Sequence, residues 1–359
     1  MRIIDVAAAA EVSRATVTNA LNGTGRMNAA TRVRVRAIAA ELGYRTPVRT
    51  LALGVTAFPG VPWNFLEIAY YRAAVGAAMA AAHRHGFGLT VLPAGATGWE
   101  SVSADGALIL DPSGDDPLAI GAARAGIPVT FLGRPSASRG SWIDNYHDVS
   151  TKAVLDHLAG QGAHRITLIA SSATDHYTRS CVAAYRAWCR AHGRPERVVD
   201  WEPGEDPAEI ALAGRPDAVY AIYESIGFLL LDAARRHGLR IPDDLLIACF
   251  SEDPAYATAD PPVTTVCHRA TTGGRLAVDA LVTRLQTGVQ LPSVLVPARL
   301  AVRRSALPGP EIGNEGPPFV DVVQRERDNH DRLDAAGDRD EQLTRHEGNH
   351  TVDRAFGSK

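Results

Sequence analysis

The chain has 359 residues, 46% hydrophobic and 21% charged, enough for two or three domains with self-sufficient cores and unlike a collagen or a wholly disordered polymer. Its longest uncharged apolar stretch, Ala73 to Ala82, is too short to cross a bilayer, and Asp5 and Glu11 interrupt the region where a signal peptide needs an apolar core. The net charge of −3 conceals an asymmetry: eight arginines against three acids give +5 in residues 1–50, and seven basic against twelve acidic residues give −5 in 308–359. A basic head on a near-neutral body points to a polyanionic partner.

In chain order, Ile3, Ile4, Val6, Ala7 and Ala10 recur at helical spacing and predict a first helix over about residues 4–10, broken by Glu11-Val12-Ser13. Ser13 is a good N-cap, its hydroxyl placed to accept from the amide of Ala15 or Thr16. A second helix then runs from Arg14 to Leu21 with Val17, Ala20 and Leu21 inward, and Asn22-Gly23-Thr24-Gly25 is a turn. Asn28 caps a third helix with apolar Val33, Ile38, Ala39 and Leu42 and charged Arg32, Arg34 and Arg36. Gly43 ends it where a left-handed backbone is needed. Two short helices joined by a tight turn, with a third behind, form the helix-turn-helix that reads DNA. Residues 1–45 are assigned to it and 46–50 to a short linker.

Residues 51–305 alternate apolar runs with longer helical patterns. Strands are expected at Leu51–Ala57, Gly88–Leu92, Gly106–Leu110 and Pro128–Leu132, and in a second set at Arg165–Ala170, Asp217–Ile222, Leu245–Phe250 and Val263–Val266. Helical patterns lie at 64–85, 115–126, 148–161, 178–193, 225–238 and 270–287. The alternation implies parallel sheets covered on both faces, in two doubly wound α/β subdomains with a cleft between them. Residues 306–359 hold Pro308, Pro310, Pro317, Pro318 and many charges without a periodic apolar face, and read as a disordered charged tail. Cys181, Cys189, Cys249 and Cys267 carry no CxxC spacing and read as reduced thiols of a cytoplasmic protein.

Ile4-Asp5-Val6-Ala7, Val12-Ser13-x-x-Thr16-Val17, Ala20-Leu21-Asn22-Gly23, Thr31-Arg32-x-Arg34-Val35 and Glu41-Leu42-Gly43-Tyr44-Arg45, in that order, resemble the head of the lactose/galactose-repressor family. The resemblance extends through Pro128 to Arg134, Asp144-Asn145, His157-Leu158, Ile241-Pro242-x-Asp244 and Pro261 to Val266, reaching about Ser305. It implies a periplasmic-binding-protein-like body that dimerises and closes on a small effector, and a repressor acting on double-stranded operator DNA. It implies no membrane, cofactor or metal.

In such a head the second helix enters the major groove. By position Arg14 and Asn19 would read base edges, Arg14 on guanine and Asn19 on adenine, with Ala15 offering a methyl contact. Ser13, Thr16, Thr18, Asn28 and Arg32 are placed for phosphates. Between Tyr44 and Gly54 the chain is shorter than in relatives, and Pro47 disfavours the helix that inserts a leucine into the minor groove in the family.

Ligands of doubly wound sheets bind beyond the carboxyl ends of the strands. That rule places Asp111, Arg134, Asp144, Asn145, Ser171, Tyr223, Glu224 and Ser251 at the effector cleft, and the resemblance adds Arg179, two residues off the family's arginine position, which Cys181 fills. Tyr223-Glu224 and Ser251-Glu252 replace the Asn-Asp and Asp-Asp pairs common in relatives, so the pocket is read as reshaped. Pro93 to Ala104 is short for a helix that relatives carry there. No dinucleotide, P-loop, nucleophile-elbow or HExxH motif suggests an enzyme, and the twelve histidines show no metal spacing. A transport protein would have no use for residues 1–45. A DNA-binding regulator without effector response is the remaining alternative.

Overall fold

The computed structural model describes residues 2–22, 25–44, 49–56, 64–137, 140–173, 175–201, 205–307 and 320–321. These divide into two units at Arg49 and Thr50.

The first unit is three helices, α1 (Ile3–Ala9), α2 (Arg14–Asn22) and α3 (Ala29–Glu41). Val6, Ala7, Ala10, Val17, Ala20, Val35 and Ala39 form their small core. The ends are defined by side chains. Asp5 accepts from the Arg2 amide at 2.7 Å, Ser13 Oγ from the Thr16 amide at 3.0 Å, and Asn28 Oδ1 from the Ala30 amide at 2.9 Å. Each satisfies a helix-start donor that would otherwise need water. Gly43 sits at φ +65°, the left-handed position expected of it. The first helix is shifted one residue toward the N-terminus of its expected span, and the second runs one residue longer.

The second unit contains β1 (Arg49–Val55), α4 (Ala69–Arg84), β2 (Phe87–Val91), β3 (Gly106–Leu110), α5 (Pro117–Ala125), β4 (Val129–Leu132), β5 (Ser141–Asn145) and α6 (His147–Gly160). It continues with β6 (Ile166–Ile169), α7 (His176–Ala191), β7 (Val198–Val199), α8 (Pro207–Ala213), β8 (Ala218–Ala221), α9 (Ile226–Arg236), β9 (Leu246–Phe250) and α10 (Ala255–Thr258). Last come β10 (Thr264–Cys267), α11 (Ala270–Thr287), β11 (Val294–Val296), β12 (Arg299–Ala301) and β13 (Val320–Asp321). One sheet has the order β11-β5-β4-β3-β1-β2 and the other β13-β12-β10-β9-β8-β6-β7. The inner pairings are parallel, Leu51 facing Gly106 and Ala218 facing Leu246. All five residues of β3 and of β9 are buried, as strands covered on both faces must be.

The two subdomains are interleaved rather than consecutive. The chain passes from the first sheet to the second between β5 and α6. It returns between β10 and α11, because α11 buries Ala277, Val278 and Leu281 in the first subdomain's core. It crosses a third time between β11, which pairs with β5, and β12, which pairs with β10. Gly274 allows α11 to lie against α4: a Cβ there would sit 2.3 Å from the carbonyl oxygen of Ala74.

Two expectations at the borders need correction. Arg49 and Thr50, assigned to a linker, are already strand, because Thr50 and Asp105 pair in both directions at 2.8 Å. Residues 46–48 and Ala57 lie outside the described residues. In the expected tail, Ala306 is fully buried in the second core, and Val320–Asp321 pairs antiparallel with Leu300 and Arg299 at the sheet edge. Residues 308–319 and 322–359 lie outside the described residues. No helix among the described residues is long and apolar enough to cross a membrane.

Candidate nucleic-acid interface and ligand cleft

On α2, Arg14, Ala15 and Thr18 are exposed, and Thr16 and Asn19 are half-buried. Thr16 Oγ1 lies 2.8 Å from Ser13 Oγ, and Thr18 Oγ1 donates to the Arg14 carbonyl at 3.0 Å. Both hydroxyls therefore also serve the helix. The amide of Asn19 lies against Gly25, where a Cβ would come within 2.9 Å of its Nδ2, and Gly25 has φ +74°. From α3, Arg32 Nη2 donates to the Gly25 carbonyl at 3.3 Å while its Nε is buried without a hydrogen bond, and Arg36 Nε donates to the Ala20 carbonyl at 3.1 Å. These arginines tie α3 to Gly25 in the turn and to α2 itself. Asn28 is exposed and its oxygen is engaged in the cap. The first turn of α2 holds Arg14 and no acid, so its dipole and charge both favour an anion there.

The second unit gathers the expected cleft residues at the carboxyl ends of its strands. Asp111 follows β3 with φ +48°, an uncommon backbone for a residue with a side chain. Its carboxylate accepts from the Tyr71 hydroxyl of α4, and burial pushes its pKa up to about 7 against that hydrogen bond. Arg134, after β4, stacks over Trp142 at 4.3 Å, with its Nε 4.0 Å from Asp144 Oδ2. On the facing subdomain Ser171 Oγ and Thr178 Oγ1 lie 2.7 and 2.8 Å from the Tyr223 hydroxyl. Ser251 Oγ accepts from the Asp253 amide at 2.8 Å and shapes its own turn.

Four contacts cross the cleft. The Glu224 carboxylate accepts from the Ala69 amide at the start of α4, at 2.5 Å, and from the Glu252 amide at 2.9 Å. Arg179 Nη2 donates to Ser136 Oγ at 3.1 Å. Tyr70 meets Phe250 edge-on at 5.7 Å between ring centroids, and His176 Nδ1 lies 3.2 Å from Asp144 Oδ2. Asn145 has a different place. Its amide nitrogen donates to the carbonyls of His268 and Val296, at 2.9 and 2.7 Å. The three residues come from the three crossing segments, so Asn145 ties the crossings together with both of its donors.

Several residues here were not singled out in the sequence. Asp144 Oδ1 lies 2.7 Å from His147 Nε2. Burial alone would raise the Asp144 pKa, but the His147 and His176 contacts hold it well below the ordinary carboxylate range. His268 is buried among His147, Tyr177 and Phe250, with ring centroids 4.5–5.3 Å from it. That burial pushes its pKa well below the ordinary value. Asp144 and His147 are three apart, a pattern too common to notice, and His176 is brought in only by the fold.

Residues 2–47 match the family described as bacterial regulatory proteins, lacI family, and residues 155–306 match a periplasmic binding protein-like domain. The chain is 29% identical over 330 residues to the HTH-type transcriptional regulator CelR of Thermobifida fusca, spanning 84% of this chain and 96% of that protein. It is 32% identical over 97 residues to a lactose operon repressor of Rhizobium radiobacter, 27% of this chain and 86% of that one. A solved structure of a transcriptional regulator, the CelR–cellobiose complex, superposes with a TM-score of 0.63 at 26% identity, covering 85% of this chain and 99% of that one.

Proposed function

Because the chain belongs to the lacI family of bacterial regulatory proteins, DNA-binding transcription regulators, we propose that it is a homodimeric cytoplasmic repressor with no catalytic role. Its operator affinity follows a small effector bound in the cleft between its two sheets. The observation that carries this reading is the set of contacts from both subdomains at the carboxyl ends of the strands, the Glu224–Ala69 bond foremost. A ligand there competes with or completes these contacts, and so changes how far the body closes.

For DNA, Arg14, Ala15 and Asn19 are assigned to base edges and Ser13, Thr16, Thr18, Asn28 and Arg32 to phosphates. Arg32 also secures the turn through Gly25. One head offers few base contacts, so two heads on an inverted repeat are needed for a specific site. For the effector, Asp111, Arg134, Asp144, Ser171, Arg179, Tyr223, Glu224 and Ser251 are assigned to the cleft, and Asn145 to the hinge. A carboxyl poised near neutrality and the Ser171–Tyr223–Thr178 hydroxyls suit a ligand rich in hydroxyl groups, a sugar or similar metabolite. A second reading, a regulator without effector response, draws on the rings of His147, Tyr177, Phe250 and His268, which pack against one another.

Titrating the protein–operator complex with mono- and disaccharides, read by fluorescence anisotropy of labelled DNA, separates the two. Release or tightening by one sugar at a saturable concentration supports the effector reading. Indifference to every ligand, with specific DNA binding intact, favours the second.

A further inference from the structure

Asp144, His147 and His176 each offer an atom within 4.8 Å of the others. Asp144 is the penultimate residue of β5 on the first sheet. His147 opens α6 and His176 opens α7, two helices whose apolar faces enter the second subdomain's core. Asp144 and His147 are each 5% exposed, whereas His176 keeps 26% of its side chain in solvent and gives a route of entry.

Two details point to an ion between these groups. Asp144 Oδ2 is buried and faces His176 Nδ1 at 3.2 Å and Arg134 Nε at 4.0 Å, close enough for ion pairs but with neither in hydrogen-bonding geometry. Buried carboxylate oxygens nearly always have a partner. Second, the 3.2 Å separation is close to the spacing of about 3.3 Å that metal–ligand bonds of about 2.0–2.1 Å in a tetrahedron put between ligand atoms, whereas the 2.7 Å from Asp144 Oδ1 to His147 Nε2 is a hydrogen-bond distance that has to widen when an ion enters.

We propose that Asp144, His147 and His176 form a site for a divalent transition metal of the zinc class, which ties the two subdomains together across the hinge. The donor set selects the ion. Two imidazoles and one carboxylate suit Zn2+, Co2+ or Ni2+, whereas Mg2+ and Ca2+ require oxygen ligands. Local charge gives the same discrimination. The N-termini of α6 and α7 and the guanidinium of Arg134, whose Nε is 4.0 Å from Asp144 Oδ2, oppose a cation held by charge alone. An ion gaining from nitrogen coordination overcomes that opposition. Arg134 is 38% exposed and its guanidinium rests on the Trp142 ring, and it is not bound to Asp144 by a hydrogen bond.

The inference uses the cleft of the proposed regulator, but its test reads metal binding without DNA or sugar, so the two can fail separately. The full chain, stripped with a chelator, is titrated calorimetrically with Zn2+ alone, and with Co2+ alone while its visible absorption is recorded. One equivalent of Zn2+ per chain is expected, with a rise in melting temperature and a Co2+ spectrum of low symmetry. His176→Ala removes the most exposed ligand and is expected to weaken Zn2+ at least tenfold and to abolish the metal-induced rise above the variant's own metal-free melting temperature. Asp144→Asn is expected to weaken it as well. Failure of the wild-type chain to bind Zn2+ overturns the proposal. So does undiminished binding by His176→Ala, which would place the ion elsewhere, for example on His346 and His350 of the sequence.

Discussion

Replacing Asn145 with alanine isolates the tie between the three crossing segments. The wild-type amide nitrogen donates to two carbonyls, of His268 and Val296, at 2.9 and 2.7 Å, and Asn145 itself is 8% exposed. Alanine removes both bonds and leaves two buried acceptors without this donor. A neutral hydrogen bond contributes about 1 kcal/mol net, and an acceptor left unsatisfied costs about 1–3 kcal/mol. Each carbonyl keeps a second lone pair and the cavity can admit a water, so the expected loss is about 2–4 kcal/mol. Urea denaturation followed by fluorescence measures it, because Trp142 lies in the first subdomain and Trp188 in the second. A lower midpoint at unchanged slope is expected. Asn145→Asp is expected to be worse, since a carboxylate would face two carbonyl oxygens. A loss below about 0.5 kcal/mol for Asn145→Ala would refute the assignment of Asn145 to the hinge.

Other substitutions test other links. Gly274→Ala sets a methyl against the Ala74 carbonyl and forces α4 and α11 apart, an expected loss of about 1–3 kcal/mol in the same denaturation assay. Because the Asp111 pKa is raised from its ordinary range to about 7, the Asp111 contribution to native stability falls as pH rises from about 4 through 7 and is flat above, while His268, held neutral by burial, contributes in the opposite direction below its ordinary pKa. Asp111→Asn removes that fall and, relative to wild type, gains roughly 1–3 kcal/mol between pH 5 and pH 8 in paired melts. Glu224→Ala breaks the bond to the Ala69 amide and is expected to increase the radius of gyration in solution scattering; an unchanged profile would show that the bond does not hold the cleft. Arg14→Ala and Asn19→Ala are each expected to cost about 1–3 kcal/mol at one base pair per half-site and to relax the preferred sequence there.

The sequence and the structure agree most closely where local chemistry decides. Ser13 and Asn28 cap the helices expected of them, and Gly106–Leu110 is a strand to the residue, because a run of apolar residues between turns has few other fates. Asp206 and Pro207 mark the start of α8 as a cap followed by a proline. Ser141–Asn145 does not read as a strand from sequence because Asp144 and Asn145 are poor strand formers in isolation. They are extended here because β4 and β11 flank them. The return of α11 to the first subdomain is a matter of which core accepts Ala277, Val278 and Leu281, and periodicity within a helix carries no such address. The same holds for the cleft. The rule of strand ends points to Asp111, Arg134, Asp144 and Glu224 but cannot point to Tyr71, His176 or His268, whose approach depends on contacts between residues far apart in the chain.

The claim that this chain is a sequence-specific regulator is tested most directly by selecting its binding sites from a random pool of duplex DNA with the full-length protein at physiological salt. An inverted repeat with matching half-sites is the expected product, bound at least a thousandfold more tightly than unrelated DNA, on the scale of about 10³ or more for specific complexes. Enrichment of no sequence over the starting pool would contradict the account.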